Sequence, residues 1–156
     1  MAKEIEKKFL IKDDSWRNSV TKSVEIIQGY SFLDSGVFRI RIINKECALL
    51  TIKSSDKNGV RNEFEYKIPL KDANQMLEIF CQKVLIHKKR HHLFYKNHEW
   101  VIDEFLGDNA PLIVAEIELS HIDENFEKPS YLGREVSQET KYLNSNLIQN
   151  PFCKWQ

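Results

Sequence analysis

Ionisable residues recur two positions apart along this chain. Glu4-x-Glu6-x-Lys8 stands near the N-terminus. Arg39-x-Arg41, Lys53, Glu63-x-Glu65-x-Lys67, Lys88-x-Arg90, Asp103 and Glu116-x-Glu118 follow in order. Side chains alternate across a β-strand, so residues two apart share a face. Two carboxylates placed in this way are oxygen ligands for a hard cation such as Mg²⁺ or Mn²⁺, which often binds through one or two carboxylates plus substrate phosphates. Arginine and lysine bind phosphate oxygens, arginine in bidentate fashion. The chain has neither a GxxxxGK[ST] nor a GxGxxG pattern. Phosphate must therefore be held by side chains rather than by a glycine-rich backbone cradle. Nothing marks a serine or cysteine nucleophile, which leaves metal-activated water as the simplest attacking group.

These residues need strands to present them. Period-two alternation predicts strands over Lys3–Ile11, Glu25–Leu33, Val37–Asn44, Cys47–Ser54, Asn62–Ile68, Lys83–Tyr95, Glu99–Phe105 and Leu112–Ser120. Asp34-Ser35-Gly36, Asn44-Lys45-Glu46 and Gly107-Asp108-Asn109 mark turns, and Pro69 stops the fifth strand because it has no amide to donate. Three helices are expected: one capped by Asp13 or Asp14 and running to Val20, one over Lys71–Gln82, and one over Val136–Leu147 introduced by Ser137. The faces opposite the charges are apolar, as in Ile40 and Ile42, Leu50 and Ile52, Phe64 and Tyr66, and Ile113 through Leu119. One face can pack against helices while the other lines something polar. Eight strands joined by short turns predict a mainly β protein with flanking helices, its antiparallel sheet closed into a barrel because closure removes exposed edges.

The 156 residues are read as a single domain over 1–156, with 23 basic and 23 acidic residues and no net charge. That balance speaks against a nucleic-acid binder or a polybasic membrane arm. The N-terminus carries no apolar signal segment, and no stretch is long enough to span a bilayer. Cys47, Cys81 and Cys153 form neither a disulfide framework nor a metal clip, so a cytoplasmic setting is expected. His87, His91 and His92 make no convincing zinc site, since adjacent residues on a strand point to opposite faces. With seven acids and seven bases on the charged faces of the strands, much of the neutrality is internal cancellation. Such groups are expensive to enclose unless a cation and a polyanion partner them.

The ordered set of Glu4-x-Glu6-x-Lys8, Arg39-x-Arg41, Leu50-Thr51-Ile52-Lys53, Lys88-x-Arg90 and Glu116-x-Glu118 resembles the CYTH superfamily of triphosphate tunnel metalloenzymes. Gln28-Gly29-Tyr30, Glu63-Phe64-Glu65-Tyr66, Trp100 to Phe105 and Tyr131 to Val136 extend the likeness over most of the chain. The resemblance implies an eight-stranded antiparallel tunnel, a C-terminal helix, and Mg²⁺- or Mn²⁺-dependent hydrolysis of inorganic tripolyphosphate to pyrophosphate and phosphate. It implies metal ligands at Glu4, Glu6 and Glu118, with Glu116 sharing that cluster or orienting water. Lys8, Arg39, Arg41, Lys53, Lys88 and Arg90 would neutralise the phosphates. Lys8, Glu116 and Tyr30 are the implied catalytic positions, with Tyr30 either orienting Lys8 or packing in the barrel. Glu63, Glu65, Lys67 and Asp103 are further tunnel positions. A thiamine triphosphatase, an adenylate cyclase and a catalytically weak polyphosphate-binding module are the alternatives within this resemblance, and a homodimer is compatible with it.

Overall fold

The structure is a computed structural model and describes residues 2–155. Met1 and Gln156, the two ends of the expected domain, lie outside the described residues. The chain forms strands β1 (Ala2–Glu4), β2 (Glu6–Ile11), β3 (Val20–Leu33), β4 (Gly36–Ile43), β5 (Cys47–Ser54) and β6 (Arg61–Ile68). Helix α1 (Leu70–Ile79) comes next, then β7 (Ile86–Tyr95), β8 (His98–Phe105), β9 (Ile113–Glu118) and β10 (Leu132–Glu135). The short helix α2 (Asn144–Leu147) follows these. The strands make one sheet in the order β1-β6-β5-β4-β3-β7-β8-β9-β2-β10. All of its ladders are antiparallel.

Only Ile5 separates β1 from β2. Yet β1 pairs with β6 at one end of this order, while β2 pairs with β9 near the other. The same N-terminal segment thus holds both ends of the ribbon, and the sheet curls round it. These are the eight expected strands, with the first interrupted at Ile5 and one short strand, β10, added. The charged positions face inward. Ile5 and Phe9 face outward into a cluster with Trp16, Trp100, Ile102 and Ile117. The β4–β5 turn has Asn44 and Lys45 at φ 51° and 58°, the left-handed pair that suits a tight hairpin, and asparagine tolerates that region well.

Helix α1 lies on the outer face of β4 and β5, where Ile40, Ile42, Ala48 and Ala73 are buried together beside Met76 and Leu77. It approaches β3 closely at Gly29, where an added Cβ would stand 2.6 Å from Leu77 Cδ2 and 2.9 Å from Leu85 Cδ2. Gly29→Ala is therefore expected to push α1 outward and destabilise the protein by about 1–3 kcal/mol, the usual cost of overpacking. A lowered midpoint in urea with an unchanged slope would show it.

The first predicted helix is a 3₁₀ turn over Asp14–Ser19, with Asp13 accepting from the Ser15 amide. The helix expected over Val136–Leu147 is corrected to a 3₁₀ turn at Thr140–Tyr142 and the single α turn of α2. The cause is local: Ser137 caps no helix, because its hydroxyl accepts from the Lys8 amide while the Val136 amide donates to the Lys8 carbonyl. Tyr142, Leu147 and Ile148 are instead buried with Phe105, Leu112 and Val114, against Leu10. Leu10 and Val114 continue the inward faces of Lys8 and Glu116 by one period. The C-terminal segment therefore covers the apolar inner end of the curled sheet.

Candidate functional site

The curl encloses a cavity of about 660 Å³. Its wall is the set of inward period-two positions. Glu4, Glu6 and Lys8 come from β1 and β2, Arg39 and Arg41 from β4, and Lys53 from β5. Glu63 and Glu65 come from β6, Lys88 and Arg90 from β7, and Glu116 and Glu118 from β9; Tyr30 of β3 also lines it. Residues named from far-apart parts of the sequence are thus brought into one chamber. The register is settled on β7: Lys88 and Arg90 face in, while Lys89 is exposed.

Acids and bases are interleaved in a graded way. At the β1 end, Lys53 Nζ lies 2.5 Å from Glu4 Oε1 and 3.1 Å from Glu63 Oε2. One period further in, Lys8 Nζ sits 2.7 Å from Glu116 Oε1 and 3.1 Å from Glu6 Oε1. Burial acts to lower the Lys8 proton affinity, but Glu116 and Glu6 outweigh it and raise the ammonium above its ordinary range. Burial would likewise raise Glu6, and Lys8 more than offsets it. Glu118 is relieved only weakly, by Lys53. Burial, followed by the carboxylates of Glu4, Glu63 and Glu6, pushes its own carboxyl above the usual value. A crowd of like-charged oxygens around Glu118 suits a hard dication. Among the described residues no three acidic, histidine or cysteine side chains already converge on one metal position, because Glu4 and Glu6 lean toward lysines.

The inner half is cationic. Arg39 donates to Thr51 Oγ1 at 3.0 Å and Glu65 Oε2 at 3.2 Å, and its Nε has no partner among the described residues. Arg41 donates from Nε to Gln28 Oε1 at 2.9 Å, and none of the ion pairs among the described residues includes it. Arg41 faces the cavity half-buried, and burial together with Arg39 and Arg90 pulls its guanidinium down to about 9. Arg90 holds Asp103 through Nε at 2.7 Å and Nη2 at 2.8 Å, and reaches Glu116 at 3.4 Å. Lys88 Nζ donates to Asp103 Oδ2 at 2.6 Å and to Asn144 Oδ1 at 2.9 Å. Burial would raise Asp103, but Arg90 and Lys88 hold it well below the carboxylate range.

Several expectations change in detail. Asp103 does not line the cavity; it lies fully buried beneath Lys88 and Arg90. Lys67 shares the inward face of β6 and the cross-strand row of Leu49 and Arg41, but it is exposed and lies outside the cavity wall. Arg61, Lys3 and Glu99 take part in the wall instead. The Tyr30 hydroxyl accepts from Gln28 Nε2 at 2.7 Å, and no hydrogen bond links it to Lys8 among the described residues. Glu116 sits with Lys8 and Arg90 rather than against Glu118. Arg61 and Glu99 extend period-two runs that the sequence already displays. Gln28, Thr51 and Asn144 carry no such signal. His91 faces away from the cavity, its ring tilted against Trp16 and hydrogen-bonded to Ser23 and Glu104, whereas His92 meets Glu99 at the cavity wall.

A curled antiparallel sheet with an inward ring of paired glutamates, arginines and lysines defines a class, and comparison with known proteins identifies it. The CYTH domain profile matches residues 2–149, and the chain belongs to this family. It is 43% identical over 153 residues to the inorganic triphosphatase of Acetivibrio thermocellus, covering 97% of each chain. Among solved structures it resembles the inorganic triphosphatase NE1496, with a TM-score of 0.64, 26% identity and 95% of both chains covered. The PH1012 protein of Pyrococcus horikoshii OT3 shares the fold, with a TM-score of 0.61 at 19% identity over 77% of this chain and 80% of that one. No helix among the described residues is long and apolar enough to cross a membrane.

Proposed function

We propose that this chain is a divalent-metal-dependent triphosphatase that hydrolyses inorganic tripolyphosphate to pyrophosphate and phosphate, working as one domain over its length. The observation that carries this reading is Arg41. It is a guanidinium turned into the cavity beside Arg39 and Arg90, outside every ion pair among the described residues and hydrogen-bonded to the neutral amide of Gln28. A linear polyanion relieves that repulsion, since bidentate guanidinium–phosphate contacts are strong in a low-dielectric site.

Arg39, Arg41, Lys88 and Arg90 bind the phosphate chain and stabilise charge that gathers on its oxygens as the anhydride bond breaks. Lys8, fixed between Glu116 and Glu6, keeps its proton and presents it at the border between the cationic and acidic halves. Lys53 plays the matching part between Glu4 and Glu63. Glu116 anchors Lys8 and Arg90 in place, and Tyr30 steadies Gln28. Mg²⁺ or Mn²⁺ held by Glu4, Glu6 and Glu118, with Glu116 nearby, would neutralise phosphoryl oxygens and lower the pKa of water. The 43% identity to an inorganic triphosphatase supports the inorganic substrate.

Phosphate release from tripolyphosphate, ATP and thiamine triphosphate, with Mg²⁺ or Mn²⁺ and with a chelator, tests the assignment. Tripolyphosphate is expected to give the highest kcat/KM and the chelator to abolish turnover. Arg41→Ala should lower kcat/KM about a hundredfold, the usual effect of deleting one donor to a developing oxyanion. A higher kcat/KM for ATP or thiamine triphosphate would reassign the substrate. Tight binding without metal-dependent release would mark a polyphosphate-binding module.

A further inference from the structure

Leu143, Asn144 and Ser145 of the C-terminal segment line the inner end of the cavity, against the cationic half. Asn144 Oδ1 accepts two hydrogen bonds there, from Lys88 Nζ at 2.9 Å and from Gln28 Nε2 at 2.9 Å. Gln28 in turn accepts from Arg41 Nε at 2.9 Å and donates to the Tyr30 hydroxyl at 2.7 Å. Lysine has only donors, so the carbonyl edge of Asn144 must face Lys88. Asn144 and Gln28 therefore tie together two phosphate-facing cations that lie on different strands.

The chemistry of the tie matters. An amide oxygen directs an ammonium or guanidinium without cancelling its charge, whereas a carboxylate in the same place would hold the cation and compete with phosphate for it. The platform under Asn144 is firm. Tyr142, Leu147 and Ile148 are buried against Phe105, Leu112 and Val114, and Asn109 Oδ1 accepts from the Phe152 amide at 2.9 Å.

We propose that Asn144 is a positioning residue of the anion site, aiming Lys88 directly and Arg41 through Gln28 while adding no negative charge beside either cation. The inference rests on the tripolyphosphate reading above and adds the C-terminal turn to the site.

Steady-state kinetics with tripolyphosphate and thermal midpoints of Asn144→Ala, Asn144→Asp and Asn144→Ser test it. Asn144→Ala should raise KM about tenfold with kcat changed little, the effect of losing a hydrogen bond to a charged group. Asn144→Asp should be at least as heat-stable as the wild type yet raise KM further, about a hundredfold, because its carboxylate pairs with the buried cations. Asn144→Ser, with a small acceptor, should fall between wild type and Asn144→Ala in KM, and it keeps the test decisive should the aspartate variant not fold. Unchanged KM in the alanine and serine variants, or KM values that simply track loss of stability, would overturn the role of Asn144. A wild-type chain that neither binds nor hydrolyses tripolyphosphate would overturn this inference and the functional reading together, whereas wild-type turnover with unaltered variants removes only the former.

Discussion

Glu118→Gln is expected to lower metal-dependent phosphate release about a thousandfold, equivalent to about 4 kcal/mol of transition-state stabilisation. It should also leave the metal-free protein more heat-stable, not less. Both effects follow from the same crowding. Glu118 is raised by burial and by Glu4, Glu63 and Glu6, so the folded protein binds its proton more tightly than the unfolded chain does. Stability from such a group is present at low pH and is lost as pH rises through the folded value, so at neutral pH the ionised carboxylate works against folding. Glutamine removes that repulsion and with it an oxygen ligand for the cation. Thermal scans with and without Mg²⁺ read both halves: the wild type should gain more from the cation than the variant. A variant with full activity, or one less stable in chelator, would remove Glu118 from the metal cluster.

Asp103→Asn should have the largest effect on stability. Asp103 is wholly buried and is the shared counter-charge of Lys88 and Arg90. Removing one partner from a buried ionic group leaves uncompensated charge and costs about 3–5 kcal/mol. For a chain of this size that lowers the melting temperature by about 10 °C. The pH dependence has a definite sign. Because the folded carboxyl is held below its unfolded value, its contribution is complete above about pH 4, the ordinary aspartate range, and is lost as pH falls through the folded value. The wild type should therefore lose stability in acid more steeply than Asp103→Asn, as equilibrium unfolding at pH 7 and pH 3 would reveal. Equal melting temperatures at pH 7 would show that Lys88 and Arg90 do not depend on this carboxylate.

The inward wall was legible because period two specifies a face. Glu4 and Glu6, Arg39 and Arg41, and Glu116 and Glu118 all sit where alternation puts them. Depth is a different matter, since alternation carries no information about position along the axis. Lys67 and Asp103 share the correct face, but one is exposed outside the cavity and the other is buried beneath its wall. The C-terminal segment was misread for a related reason. Ser137 has the chemistry of a helix cap, and only the pairing with Lys8 shows that its hydroxyl is spent on β2. Gln28 and Asn144, 116 residues apart, meet only in the folded chain. Neither stands in a charge pattern, so spacing could not mark them.

The covered inner end bears on the order of events in turnover. On the proposed reading, a phosphate fragment held by Arg41 and Lys88 lies against the C-terminal segment, on the side of the cavity away from Glu4 and Glu118. Until it leaves, that fragment fills the place of the next substrate. Competitive inhibition by pyrophosphate or phosphate is therefore expected, and product-inhibition kinetics would check it.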